Sequence, residues 1–175
     1  MNKLLLVVDM QNDFINGSLG TKEAEKIVPK VVDKIKKFDG QVIFTRDTHT
    51  EEYLSTQEGK KLPVEHCIKN SFGWQLCDEI NEIAHEKDCM IIDKPSFGSL
   101  ELVDVLKKIN MTHPVEQIEV IGLCTDICVI SNALILKAAF PECEIIVDSS
   151  CCAGVTIASH NNALEAMKLC QVKVM

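Results

Sequence analysis

Short apolar runs rich in β-branched residues recur along the chain: LLLVVD (4–9), QVIFTRD (41–47), CMIIDK (89–94), IEVIGL (118–123) and EIIVDS (144–149), with VKV (172–174) as a short last one. Near-continuous apolar runs of this length read as strands covered on both faces. Between them the apolar residues follow helical spacing. From Thr21 to Phe38, residues Ile27, Val31, Ile35 and Phe38 share one face while Lys and Glu take the other, and Thr21 is placed to cap the first turn. Weaker helical patterns cover 73–86 and 98–108, and stronger ones cover 126–139 and 156–170; the last puts Leu164, Met167 and Leu169 in the core. Strand and helix in regular alternation predict an α/β fold of the doubly wound, Rossmann-like class, a mostly parallel sheet with helices on both faces. With no internal repeat, low-complexity tract or linker, residues 1–175 read as one domain. The irregular polar stretch from Thr48 to Ser71 is long enough to expect a function for it.

Composition narrows the classes. A chain of 175 residues can bury roughly 70% of the surface it would expose unfolded, so it needs no disulfide framework. Its nine cysteines are odd in number and irregular in spacing, which reads as reduced thiols of a cytoplasmic protein. The opening MNKLLLVVD has five apolar residues before Asp9, too few for the apolar core of a secretory signal, and no run approaches the ~18 apolar residues of a membrane span. No membrane partner is expected. A net charge of −8 without a basic stripe argues against a nucleic-acid partner, and the lack of a GxGxxG or Walker pattern argues against a nucleotide cofactor.

In an open parallel sheet, ligands bind beyond the carboxyl ends of the strands. Three apolar runs end there in an ionisable group: Asp9, Asp47 and Lys94. A fourth ends in GLCTDIC, a turn into a helix with Cys128 near its first turn. The helix dipole and a nearby ammonium both favour a thiolate. Lys94 would thus support the Cys128 thiolate, Asp9 would take the thiol proton and return it to a leaving group, and backbone N–H groups near Cys124 and Cys128 would hold an oxyanion. Each residue alone has a plainer reading: the acid as a turn former, the lysine as solvated, the cysteine as inert packing. Their shared rim favours the chemistry.

VVDMQNDF (7–14), DKPSFGS (93–99) and GLCTDICV (122–129), in that order over essentially the whole chain, resemble the isochorismatase-like cysteine hydrolases, a family that includes nicotinamidases. The resemblance implies an Asp, Lys, Cys triad at Asp9, Lys94 and Cys128, and a cis peptide between Leu123 and Cys124. Asp47 and His49 leave the second strand together, and His66 arrives through the polar loop; two imidazoles and a carboxylate suit Zn²⁺, Fe²⁺ or Mn²⁺. In nicotinamidases such a metal orients the pyridine nitrogen, with a further ligand from the intervening loop. Glu58 is best placed for that role, with Glu51 and Glu52 as competitors. D-x-H turns also occur in metal-free relatives, and His66 beside Glu65 also fits a surface pair. One departure stands out: where an aromatic residue often precedes the final metal histidine, this chain reads Leu62, Pro63, Val64, Glu65. Phe14 is then the candidate ring contact, with Trp74 as a second.

The leading expectation is an amidase for a small flat amide, nicotinamide first, working through acylated Cys128 with a divalent transition metal as cofactor. A metal-independent relative acting on a carbamoyl, ureido or vinyl-ether compound is the nearest alternative. A non-catalytic protein whose Cys124 and Cys128 respond to oxidation is the third. The family's habits imply a homo-oligomer. His85, His113 and His160 read as solvated or capping residues, and Cys151 and Cys152 as packed thiols.

Overall fold

The computed structural model describes residues 2–175. Its strands β1 (Lys3–Val8), β2 (Gln41–Asp47), β3 (Met90–Lys94), β4 (Gln117–Leu123), β5 (Glu144–Ala153) and β6 (Lys173–Val174) form one sheet in the order β3-β2-β1-β4-β5-β6. Every adjacent pair is parallel. In β1, Leu4 to Val8 are all buried, as unbroken apolar strands inside a doubly covered sheet must be.

The helices are α1 (Asn12–Ile15), α2 (Lys22–Lys37), α3 (Gln57–Lys61), α4 (Asp78–Glu86), α5 (Leu100–Thr112), α6 (Ile130–Ala139) and α7 (Ile157–Leu169). Helix α2 packs on α4, while α5, α6 and α7 pack in series, so right-handed crossovers put the two groups on opposite faces. The expected stripe of α2 is buried at Ile27, Val31 and Ile35. Thr21 caps the helix by accepting from the Ala24 N–H at 3.0 Å, a contribution of about 1 kcal/mol. Among the described residues no helix is long and apolar enough to cross a membrane.

Several boundaries differ from the sequence reading. The helix expected over 73–86 begins only at Asp78, because the preceding segment is drawn off to pair with the chain after β1: Leu76 bridges Gln11, and the Cys77 N–H donates to the Met10 carbonyl at 3.0 Å. Helix α5 runs on to Thr112. The helix expected from 126 starts as a π-helical turn (Thr125–Val129) before α6. Strand β5 extends to Ala153, with a register shift against β4 between Val120 and Gly122. Leu164 and Met167 are buried as expected, but Leu169 is 88% exposed. It closes α7 two residues beyond Met167, and two residues turn a helix by more than half a revolution, away from the buried face.

Strands β1 and β4 are neighbours whose connections leave in opposite directions, the point at which doubly wound sheets open a crevice. Gly122 allows them to stay paired to their ends: its φ is +115°, and a Cβ there would run into the Val8 carbonyl.

Candidate active site

Asp9 follows β1 in the left-handed conformation, with φ 47°. That setting costs a side-chain-bearing residue about 1–2 kcal/mol, and aspartate tolerates it better than most. Its N–H still reaches the Thr45 carbonyl at 3.2 Å. The carboxylate is wholly buried, with Oδ1 accepting from Thr45 Oγ1 at 2.7 Å and Oδ2 lying 2.7 Å from Lys94 Nζ. Lys94 closes β3 and is fully buried too. Its ammonium donates to the Ser96 carbonyl at 3.0 Å, lies 3.3 Å from Asp47 Oδ1 and 3.4 Å from Cys128 Sγ. A buried ammonium persists only with partners of this kind.

Cys128 sits in the π-helical turn, after the cis peptide between Leu123 and Cys124. The turn folds on the Cys124 carbonyl, which accepts from the N–H groups of Ile127 (3.1 Å) and Val129 (3.0 Å). Buried Asn132 locks it to the loop after β3, donating to the carbonyls of Cys128 (2.8 Å) and Phe97 (3.1 Å) and accepting from the Ser99 N–H (3.0 Å). Burial, then Asp9, push the Cys128 thiol well above its ordinary range against the pull of Lys94. The expected resting thiolate is therefore reversed, because the Lys94 charge is shared with Asp9 and Asp47. Burial also raises Asp9, against Lys94, which makes it a better proton acceptor than a surface carboxylate.

At the same edge the ligand atoms of Asp47, His49, Glu58 and His66 all lie within 4.8 Å of one another. His49 Nε2 is 3.0 Å from Asp47 Oδ2 and 3.7 Å from Glu58 Oε1; His66 Nε2 is 3.6 Å and 3.8 Å from the same two atoms. His66 Nδ1 lies 2.8 Å from the Val64 carbonyl, so that nitrogen carries the proton in the neutral ring and Nε2 faces inward as a ligand. Burial works against the charge on Asp47, but the hydrogen bond from His49 and the neighbouring His66 and Lys94 hold its carboxyl below the usual range. Two imidazoles and two carboxylates converging in this way fit a divalent transition metal. Glu51 and Glu52 are exposed and outside the cluster.

The polar loop proves to contain a 3-10 turn (Tyr53–Ser55) and α3, which presents Glu58. One cavity of about 320 Å³ is bordered by members of both clusters, Cys124 and Cys128 with Asp47 and Glu58. Its apolar walls include Phe14, Leu19, Leu62 and Phe97, the size and character of a small-ligand pocket. Phe97 supplies an aromatic wall that the stretch before His66 lacks. Trp74 does not border this cavity; Arg46 stacks 3.7 Å from its ring centroid, and its indole N–H donates to Thr48 Oγ1 at 2.8 Å.

Three supporting residues escaped the sequence reading. Gln11, fully buried, brackets the Asp47 backbone by accepting from its N–H at 2.7 Å and donating to its carbonyl at 2.8 Å. Asp13 accepts from the Cys67 N–H at 2.7 Å and so anchors the residue after His66. Buried Tyr53 packs its ring against both imidazoles, with centroids 4.7 Å from His49 and 4.9 Å from His66. The spacing 9, 11, 13 in VVDMQNDF was the available signal. Of the histidines read as solvated or capping, His85 and His113 are exposed, whereas His160 is half-buried with Nδ1 2.8 Å from Thr125 Oγ1. Cys151 and Cys152 are buried free thiols.

A model of the isochorismatase domain matches residues 3–175. The nicotinamidase of Saccharomyces cerevisiae is 28% identical over 173 residues, covering 75% of this chain and 80% of that one. The nicotinamidase of Escherichia coli is 26% identical over 198 aligned positions, covering 95% and 90%. Among solved structures, the pyrazinamidase of Pyrococcus horikoshii in complex with zinc superposes with a TM-score of 0.84 at 28% identity, covering 100% of this chain and 99% of the other.

Proposed function

The chain belongs to the isochorismatase family, and we propose that it is an amide hydrolase converting nicotinamide to nicotinate and ammonia. The observation that carries this reading is that one cavity is bordered both by Cys128 and by the carboxylates Asp47 and Glu58 of the ligand cluster. A flat aromatic amide fits between apolar walls that include Phe14 and Phe97, its carboxamide toward Cys128 and its ring toward the cluster. The named activities of the yeast, Escherichia coli and Pyrococcus horikoshii relatives support the same substrate class.

In this reading Cys128 Sγ attacks the amide carbon while its proton passes to Asp9. Backbone N–H groups of the turn from Cys124 to Cys128 stabilise the resulting oxyanion. Asp9 then returns the proton to the leaving nitrogen, the C–N bond breaks, and ammonia departs from a Cys128 thioester. A water molecule attacks the thioester while Asp9 takes its proton, and the C–S bond breaks as Asp9 passes that proton to the leaving sulfur, releasing the carboxylic acid and restoring the Cys128 thiol. Lys94 keeps Asp9 oriented throughout and offsets charge on the sulfur, 3.4 Å away. Thiol and acid both start with raised proton affinities, so the proton moves as the sulfur attacks and no exposed thiolate has to be maintained.

Asp47, His49, Glu58 and His66 would hold a Zn²⁺, Fe²⁺ or Mn²⁺ ion, which when bound supplies a site for a ring nitrogen of the substrate. The nine free cysteines support a reducing, cytoplasmic setting.

The test is ammonia release from a panel of small amides by protein loaded with each metal in turn. Turnover of nicotinamide that disappears in Cys128→Ala and largely survives in Cys124→Ala is expected. Hydrolysis confined to ureido or carbamoyl compounds, or undiminished by Cys128→Ala, would overturn the reading.

A further inference from the structure

The turn that carries Cys128 is braced from outside the substrate cavity by the start of α7. Thr125 and Asp126 lie between Cys124 and Cys128; the first is tied to that helix and the second to the residue just before its cap. Thr125 is wholly buried, and among the described residues its hydroxyl has one hydrogen-bond partner, His160 Nδ1 at 2.8 Å. Asp126 accepts from the Val155 N–H through both carboxylate oxygens, each at 3.2 Å. Gly154 lets the two segments close: a Cβ there would sit 2.9 Å from His160 Cβ and 3.1 Å from Asp126 Oδ1.

A buried hydroxyl needs a partner, and the nearest ones for a threonine entering a helix are usually backbone groups of its own turn. Here the partner is a side chain from another element. Burial, opposed by Asp126, holds the His160 ring below its ordinary pKa, so it is neutral near pH 7, with one nitrogen able to donate and one to accept. His160 borders a separate cavity of about 270 Å³ and does not border the cavity of Cys128. It cannot touch a substrate lying there. Its hydrogen bond into the turn is the one to Thr125.

We propose that His160 is a positioning residue for the nucleophile, holding Thr125 so that the turn keeps Cys128 and the neighbouring N–H groups aimed at the carbonyl under attack. The role rests on the hydrolase reading above for its effect on turnover, and the packing of the turn can be probed without any substrate.

The experiment compares wild type, His160→Ala, His160→Asn, Thr125→Val and the His160→Ala/Thr125→Val double variant, each loaded with metal. A misaimed turn should lower kcat on nicotinamide by about tenfold in His160→Ala, less than the loss of a whole oxyanion donor. KM should stay within about twofold, because ground-state binding is untouched. His160→Asn presents a polar atom near the place of Nδ1 and should recover most of the rate. Thr125→Val should match His160→Ala, and the double variant should be no worse than either, as expected for two ends of one interaction. The rate of Cys128 alkylation at fixed pH should follow the same order. Absence of ammonia release from any amide by wild type would sink the substrate reading, while the alkylation order would still test the brace. The proposal is overturned by kcat and alkylation rates in His160→Ala within about twofold of wild type, by a loss confined to KM, or by single-variant losses that multiply. Should His160→Ala fail to fold, Thr125→Val against His160→Asn decides: a reduced rate in the first and a near-normal rate in the second is expected, and normal rates in both would refute it.

Discussion

Asp47 and Lys94 face each other twice, first as register partners across β2 and β3 and again through their side chains, with Asp47 Oδ1 3.3 Å from Lys94 Nζ. The other carboxylate oxygen lies 3.0 Å from His49 Nε2 and 3.6 Å from His66 Nε2. One residue therefore belongs to both the ligand cluster and the charge network around the thiol. What happens to the cluster should be felt by Lys94, and more weakly by Cys128.

Asp9→Asn and Lys94→Met should fail in different ways. The asparagine keeps the shape of Asp9, and Lys94 retains Asp47, so the variant should fold while kcat falls by about 10²–10⁴-fold, the usual worth of a general acid–base. Lys94→Met leaves two buried carboxylates without their cation and should lose roughly 3–5 kcal/mol of stability. Denaturant unfolding beside steady-state kinetics separates the two, and near wild-type turnover in Asp9→Asn would remove the proton-transfer step.

Cys128 should be slow to alkylate at pH 7 in the metal-free, substrate-free protein. Its raised pKa means that the thiolate fraction climbs only as pH rises past the ordinary thiol range, so labelling should still be accelerating above about pH 9. Mass-spectrometric mapping of the labelled site against pH checks this. A labelling rate that levels off near pH 6 would mean that Lys94 and the turn outweigh burial and Asp9.

His66→Ala removes one imidazole of the cluster and should reduce bound metal to well below one equivalent, with KM for nicotinamide rising more than the rate of Cys128 alkylation changes. Elemental analysis of wild type and variant provides the check. Equal metal content in both proteins, or none in wild type after exposure to Zn²⁺, Fe²⁺ and Mn²⁺, would direct attention to the metal-independent members of the family.

Away from the site, Lys34 bridges Glu119 and Asp148, the latter at 3.0 Å. Against burial, Ser150 and Lys34 keep Asp148 below the usual carboxylate range; against burial, Glu119 and Asp148 raise Lys34. The depressed acid contributes stability above its unfolded pKa and loses it as pH falls. The raised lysine contributes below its unfolded pKa and loses it as pH climbs. Lys34→Met should therefore cost about 1–3 kcal/mol across the middle of the pH range, with the difference from wild type narrowing below about pH 4 and above about pH 10. Urea unfolding at several pH values measures it, and a pH-independent difference would argue for lost packing alone.

The charged residues of the site could be read from the chain because each ends an apolar run: Asp9, Asp47 and Lys94 needed only the rule that parallel strands deliver their carboxyl ends to one edge. Gln11, Asp13 and Tyr53 could not. Their work is to hold backbone or ring atoms of segments distant in sequence, and nothing local to a buried glutamine says which strand it will bracket. The same holds for His160, whose partner Thr125 lies 35 positions away. The late start of α4 followed from pairing between Leu76 and Gln11, a contact that helical periodicity cannot register. The reversed proton affinity of Cys128 shows the same limit in energetic form: the dipole and the ammonium are visible in sequence, whereas the depth of burial and the sharing of one cation among three groups are properties of the folded chain.

His49 stands at the start of the polar loop, His66 toward its far end, and Glu58 between them. An ion bound by all three would cross-link the segment much as a disulfide does, removing loop-closure entropy from the opened states by about 3 kcal/mol for a loop of this order. The segment that roofs the pocket would then be fastened by the same ion that receives the substrate. Chelation should unlatch it, letting α3 unwind so that trypsin cuts the surface Lys60–Lys61 bond while the sheet behind it stays folded.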